Sequence, residues 1–258
     1  MQTTSIVFQG SPLAHYVLAR ADDALVLGHR LSEWCGHAPI LEEDLALTNI
    51  ALDLIGQARA LYTYAAELEG RGHDEDDLAY LREDRQFHNL LLLEQPNGDF
   101  AVTCVRLLLF SAFAEPYWRL MRASSDAQLA AIAAKAEKEC AYHVRHASQW
   151  VIRLGDGTEE SHRRTQDALD TLWVYTGELF ETSADEQALI AQGIAADPQA
   201  ILPIWQNTVN AVLTEATLQV PSVSWMQTGG RRGLHSEHLG HMLAEMQYLQ
   251  RTYPGAEW

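Results

Sequence analysis

Lysine is almost missing from this chain: sixteen of its 18 basic residues are arginine, and only Lys135 and Lys138 break the pattern. Against those 18 stand 35 acidic residues, so the formal net charge is −17. That field repels phosphate backbones and anionic lipid alike, which excludes nucleic acid and membrane surfaces as expected partners. Cysteine is scarce as well. Cys35, Cys104 and Cys140 are odd in number, far apart and without a Cys-x-x-Cys pair, which argues against a disulfide scaffold and suits reduced thiols in a cytosol. No stretch reads as long and apolar enough to span a bilayer, and Met1 to Pro12 lacks the basic lead and apolar core of a signal peptide. The expected location is the cytoplasm.

A second absence concerns metal. A carboxylate-bridged di-iron bundle needs Glu-x-x-His turns, because residues three apart on an α-helix point the same way and can serve one metal pair. Of the eleven histidines, only His162 has a carboxylate three residues earlier, Glu159. That pair follows Gly155-Asp156-Gly157-Thr158 and so stands at a helix entrance, not in a bundle core.

What the chain does have is helical periodicity throughout, with two-residue alternation nearly absent, and the expected fold is all-α in a single domain over residues 1–258. Helices are expected at about 12–34, 39–69, 74–95, 99–123, 126–154, 159–182, 185–195, 198–220 and 235–251, with Gly70-Arg71-Gly72 and Gln95-Pro96-Asn97-Gly98 as breaks. Pro116 should kink or interrupt the very apolar helix after Asp99. The first, second, Asp99 and Asp126 helices make two antiparallel hairpins, the arrangement of a ferritin-like four-helix bundle, with additional C-terminal helices.

At bundle mid-level the first helix offers Asp22 and His29, the second stacks Asn49, Asp53 and Gln57, and the fourth presents Glu139 and His143. The third offers no carboxylate there, being Leu107 to Phe113, so one wall of any metal site is missing. Lys135 and Lys138 lie within one turn of Glu139, and one of them, Lys135 rather than Lys138, could supply the positive charge in place of metal, since unpaired buried acids are costly; alternatively both are exposed and pair with Glu137 or Glu139 along the helix surface. Asn49, Asp53 and Gln57 can equally form a hydrogen-bonded seam.

Several blocks carry a family resemblance: Glu33-Trp34-Cys35-Gly36-His37-Ala38-Pro39, Leu52-Asp53-Leu54-Ile55-Gly56-Gln57-Ala58-Arg59, Glu94-Gln95-Pro96-Asn97-Gly98, and Thr228-Gly229-Gly230-Arg231-Arg232-Gly233-Leu234-His235 with Met242 to Arg251. Together they resemble the C-subunit family of the bacterial ring 1,2-phenylacetyl-CoA epoxidases. The resemblance implies a ferritin-like, non-catalytic structural subunit supporting a catalytic A subunit that holds the di-iron centre and binds substrate. It also implies a B subunit and a reductase fed by NADPH, with no cofactor in this chain itself. A homodimer contact is a further candidate partner surface.

Two other features compete. Gly229-Gly230-Arg231-Arg232-Gly233 could cradle CoA phosphates or dock on an acidic subunit, which makes Arg231 and Arg232 candidate CoA or partner contacts. His235, His238 and His241 share one helical sector and could bind zinc, although a packed or partner-facing helix is preferred. The alternatives to the structural subunit are a stand-alone ferritin-like di-metal oxidase, with an atypical site from Asp22, Asp53, Glu139 and His143, and a CoA-ester-binding regulatory subunit.

Overall fold

In the computed structural model, which describes residues 5–256, eleven α-helices and three short 3-10 turns account for the regular structure, and no strand occurs among the described residues. The helices are α1 (Pro12–Ser32), α2 (Leu41–Glu69), α3 (Glu75–Tyr80), α4 (Leu91–Glu94), α5 (Phe100–Met121), α6 (Ala127–Gly155), α7 (Glu159–Trp173), α8 (Ala184–Ala191), α9 (Pro198–Glu215), α10 (Glu237–Met246) and α11 (Tyr248–Thr252). The long four, α1, α2, α5 and α6, build an all-α ferritin-like bundle: α1 runs along α2, α5 along α6, and α2 closes onto α6. α7 and α9 cover the α5/α6 side.

The start signals work as local chemistry dictates. Ser11 accepts from the Ala14 amide with Pro12 in the first turn, Asp99 accepts from Val102, and Asp126 from Leu129. α2 has no side-chain cap but carries Glu42, Glu43 and Asp44 in its first turn, and Gly70 ends it in the left-handed region at φ 67°. α5 is buried almost all round and continues unbroken through Pro116. Its length and mean hydropathy, 1.3 over the best window, match a membrane span, contrary to the expectation that no such run exists, yet 83% of that window is buried inside the protein. Trp205 of α9 ties to it by donating to the Leu109 carbonyl at 2.9 Å.

The expected helix from 74 to 95 is the largest departure. Only Glu75–Tyr80 and the single turn Leu91–Glu94 are α-helical, because carboxylates from elsewhere take the intervening amides. Asp22 accepts from the His88 amide at 2.8 Å, Asp23 from Leu90 at 2.9 Å and Glu178 from Leu91 at 2.8 Å. Tertiary acceptors thus replace the helix ladder that the leucine run alone would favour. Likewise α7 stops at Trp173, nine residues short of expectation, because the Val174 carbonyl accepts from the Gln227 amide and the chain turns so that Glu178 enters the interior.

Candidate functional site

The bundle's polar centre divides in two. On the α2/α6 seam, Gln57 donates to Glu139 at 2.8 Å, His143 Nε2 lies 3.1 Å from Asp53, and His146 Nε2 lies 2.8 Å from Glu43. His143 is buried, whereas Glu139 and Asp53 are part-exposed. Asn49 is exposed and does not join the seam. The expected stack of Asn49, Asp53 and Gln57 thus retains only its last two members at the seam.

Lys135 does not supply a buried charge. Its ammonium reaches Glu139 at 3.4 Å from the solvent side, with the side chain 73% exposed. Holding the charged tip in water avoids the cost of desolvating it, and the neutral amide of Gln57 serves as the inner donor to Glu139 instead. Lys138 is exposed as well.

Arginine takes the part expected of lysine, and it does so on the α1 side. Asp22 meets Arg82, Tyr62 and the His88 amide. Burial alone would raise its pKa, but the Arg82 guanidinium outweighs burial and holds the carboxyl below its ordinary value. Asp23 takes both terminal nitrogens of Arg231, at 3.0 and 2.7 Å. Arg20, 7% exposed, pairs with Glu186 at 2.7 Å and lies over the Tyr16 and Tyr117 rings, whose hydroxyls are paired with each other. His29 is half-buried on the same helix, and burial pushes its pKa down.

These pairings decide whether the residues fit a di-iron centre, and they do not. Asp22 and Asp23 are turned to guanidinium groups and backbone amides, Glu139 to an amide and an ammonium, and Asp53 to one imidazole. The α5 wall, from Leu107 to Phe113, contributes one polar side chain, Ser111, which donates to its own helix at the Leu107 carbonyl. Among the described residues no three His, Cys, Asp or Glu side chains converge to hold a metal ion. Glu159 and His162 lie outside the bundle, with His162 Nδ1 2.7 Å from the Gly155 carbonyl.

The arginine turn proves to be an internal clamp. Arg231 donates to Asp23 and, at 2.7 Å, to the His88 carbonyl, which leaves its side chain 16% exposed and its phosphate-binding fork occupied. Arg231 is thus engaged inside the protein, with part of its side chain still at the surface. Arg232 remains exposed. Gly229 and Arg231 donate their amides to Glu178, and the packing is close enough that a Cβ on Gly230 would lie 2.1 Å from the Asn89 carbonyl oxygen. His235 precedes α10, so it shares no helical sector with His238 and His241; it bridges Glu94 at 2.7 Å and the Phe87 carbonyl at 2.8 Å.

Sequence reasoning missed Arg20, Asp23, Arg82, Glu94 and Glu178, which carry most of this buried network. The available signal was the excess of arginine over lysine, because a delocalised, weakly hydrated, forked cation is the one that tolerates burial against carboxylates and carbonyls.

The model of the family described as phenylacetic acid catabolic protein matches residues 2–258. A curated relative, the C subunit of 1,2-phenylacetyl-CoA epoxidase from Escherichia coli (strain K12), is 53% identical over 246 residues, covering 95% of this chain and 99% of the relative. An all-α ferritin-like bundle whose acids are spent on arginine, histidine and amide partners, matched from end to end in this way, belongs to the phenylacetic acid catabolic protein family.

Proposed function

We propose that this chain is a subunit of a 1,2-phenylacetyl-CoA epoxidase, acting as a scaffold for a separate catalytic subunit that carries the di-iron centre and binds the CoA ester. The observation that carries this reading is the commitment of Asp22, Asp23, Asp53 and Glu139 to intramolecular partners, in a chain that matches an epoxidase subunit over 95% of its length. Buried ion pairs such as Asp22–Arg82 and Asp23–Arg231 hold distant segments in one arrangement, and rigidity is what a scaffold contributes. A loss of position of about an ångström at a reacting centre costs on the order of 100-fold in rate, so a subunit that only holds its partner's helices still controls turnover. The B subunit and the NADPH-fed reductase complete the proposed system, in the cytoplasm, and the chain itself holds no cofactor.

The test is reconstitution with the catalytic subunit, B subunit and reductase, following epoxidation of phenylacetyl-CoA. Full activity is expected only when this chain is present, and the chain alone is expected to be inactive. Equal turnover without it would overturn the scaffold reading.

A further inference from the structure

A cleft of about 280 Å³ opens where the starts of α2 and α5, the end of α6 and the first turns of α7 meet. Ile40, Phe100, Trp150 and Leu154 supply its walls, and Asp99 and Arg164 are the charged residues that line it. Phe100 stands edge-on to Trp150, with ring centroids 5.0 Å apart at 85°, and Trp34 packs edge-on to Phe100 at 5.9 Å. Both aromatic walls are therefore held in place by ring contacts.

The helix start beside the cleft breaks a local rule. α1, α5, α6 and α7 each begin with a Ser, Asp or Thr side chain that accepts a first-turn amide. α2 begins with Ile40 at that position and has no side-chain cap, although Ile is among the poorest residues there. The Ile40 side chain is instead 49% exposed at the cleft. A cap given up without a gain inside the core is the kind of local inconsistency that marks a functional position.

Charge narrows the ligand. Arg164 is shared between Glu160 at 2.6 Å and Asp99 at 3.5 Å, and Asp99 also accepts from the Val102 amide. Arg153 lies over the Trp150 ring and does not line the cleft. A phosphate or carboxylate entering it would meet two acids and a guanidinium already taken. The volume lies just below the usual range of small-molecule pockets, about 300–1,000 Å³, which leaves room for one ring with a short substituent. We propose that this cleft binds an uncharged monocyclic aromatic molecule, a ligand that the epoxidase reading does not assign.

The experiment titrates 2-phenylethanol, which has one ring and no charge, into the full chain. The Trp150 indole resonance is followed by NMR, with calorimetry for affinity and circular dichroism melts as the folding control. Saturable one-to-one binding is expected, with Kd on the order of 1 mM or tighter. Ile40→Ser installs a capping hydroxyl and removes an apolar wall, so the melt should hold or rise while affinity falls about tenfold. Leu154→Trp fills the cleft from a half-buried position and should abolish binding. Leu234→Ser, 57% exposed and outside the cleft, should bind as wild type. Absence of saturable binding, or unchanged affinity in both cleft variants, overturns the site. Phenylacetate binding as tightly as the alcohol overturns the choice of an uncharged ligand. If the reconstituted epoxidase complex no longer takes up the alcohol that the free chain binds, the cleft is a protein contact and the proposal falls. The scaffold reading is decided separately, by turnover.

Discussion

Arg82 and Asp22 stand sixty residues apart in the chain and form an ion pair in which neither side chain is exposed at all. The pair staples the irregular 81–90 connection to the middle of α1, and Tyr62 of α2 joins it by donating to Asp22 at 2.6 Å. Removing one partner of such a pair strands the other charge in the interior, which typically costs about 3–5 kcal/mol. Arg82→Met should lower unfolding stability by that amount in urea titrations at neutral pH. Asp22→Asn with Arg82→Met should cost less than the sum of the single changes, and strict additivity would show that the two groups do not act together.

The clamp on the C-terminal segment is expected to depend on pH through His235. Burial alone would lower the pKa of this imidazole, but the hydrogen bond and charge of Glu94, with the Phe87 carbonyl, outweigh burial and raise it above 6.5. A histidine whose folded pKa lies above its unfolded value contributes stability that is full below about 6.5 and is lost as pH rises through the folded pKa. Amide exchange from Leu234 to Leu239 should therefore speed up, relative to the α1/α2 core, as pH climbs through that window once the intrinsic base dependence is removed. His235→Gln should abolish the change.

How much of this was legible beforehand depended on whether the signal was local. Helix starts at Ser11, Asp99 and Asp126, the Gly70 stop and the apolar α5 wall follow from neighbouring residues and were readable. The 81–90 connection was not, because the groups that unwind it, Asp22, Asp23 and Glu178, come from 66 to 87 residues away. The same holds for the early end of α7. Helix register alone also left open whether Lys135 is buried or exposed, because exposure depends on which side of the seam a long flexible stem can leave by.

Arg231 and Arg232 are adjacent in sequence and should behave differently. Arg231→Met removes the donors to Asp23 and to the Ala19 and His88 carbonyls, leaving a buried carboxylate without its cation. The expected outcome is a loss of about 2–4 kcal/mol and proteolytic cleavage ahead of α10. Arg232→Met, at an exposed position, should change stability by less than about 0.5 kcal/mol. Limited proteolysis followed by mass spectrometry distinguishes them, and equal susceptibility of the two variants would refute the clamp.

Asp53 and Glu139 provide the sharpest test of a scaffold role, since they are the acids closest to forming a metal pair across α2 and α6. Asp53 has one imidazole partner and Glu139 has an amide and a lysine, and the Leu107 to Phe113 stretch of α5 adds no carboxylate. Purified after iron-replete growth, the isolated chain should contain no stoichiometric iron by elemental analysis; two iron atoms per chain would sink the scaffold reading. Asp53→Asn and Glu139→Gln preserve shape and remove charge. Both seam acids are part-exposed, so the expected stability cost is about 1 kcal/mol or less, and gel filtration should show normal assembly with the catalytic subunit. Epoxidation of phenylacetyl-CoA by the assembled variants should then remain within about twofold of wild type, because the proposed scaffold role routes no step through these carboxylates. A large fall in kcat in a variant that assembles normally would assign this chain a direct part in the chemistry, since a purely positional role would be lost only with assembly.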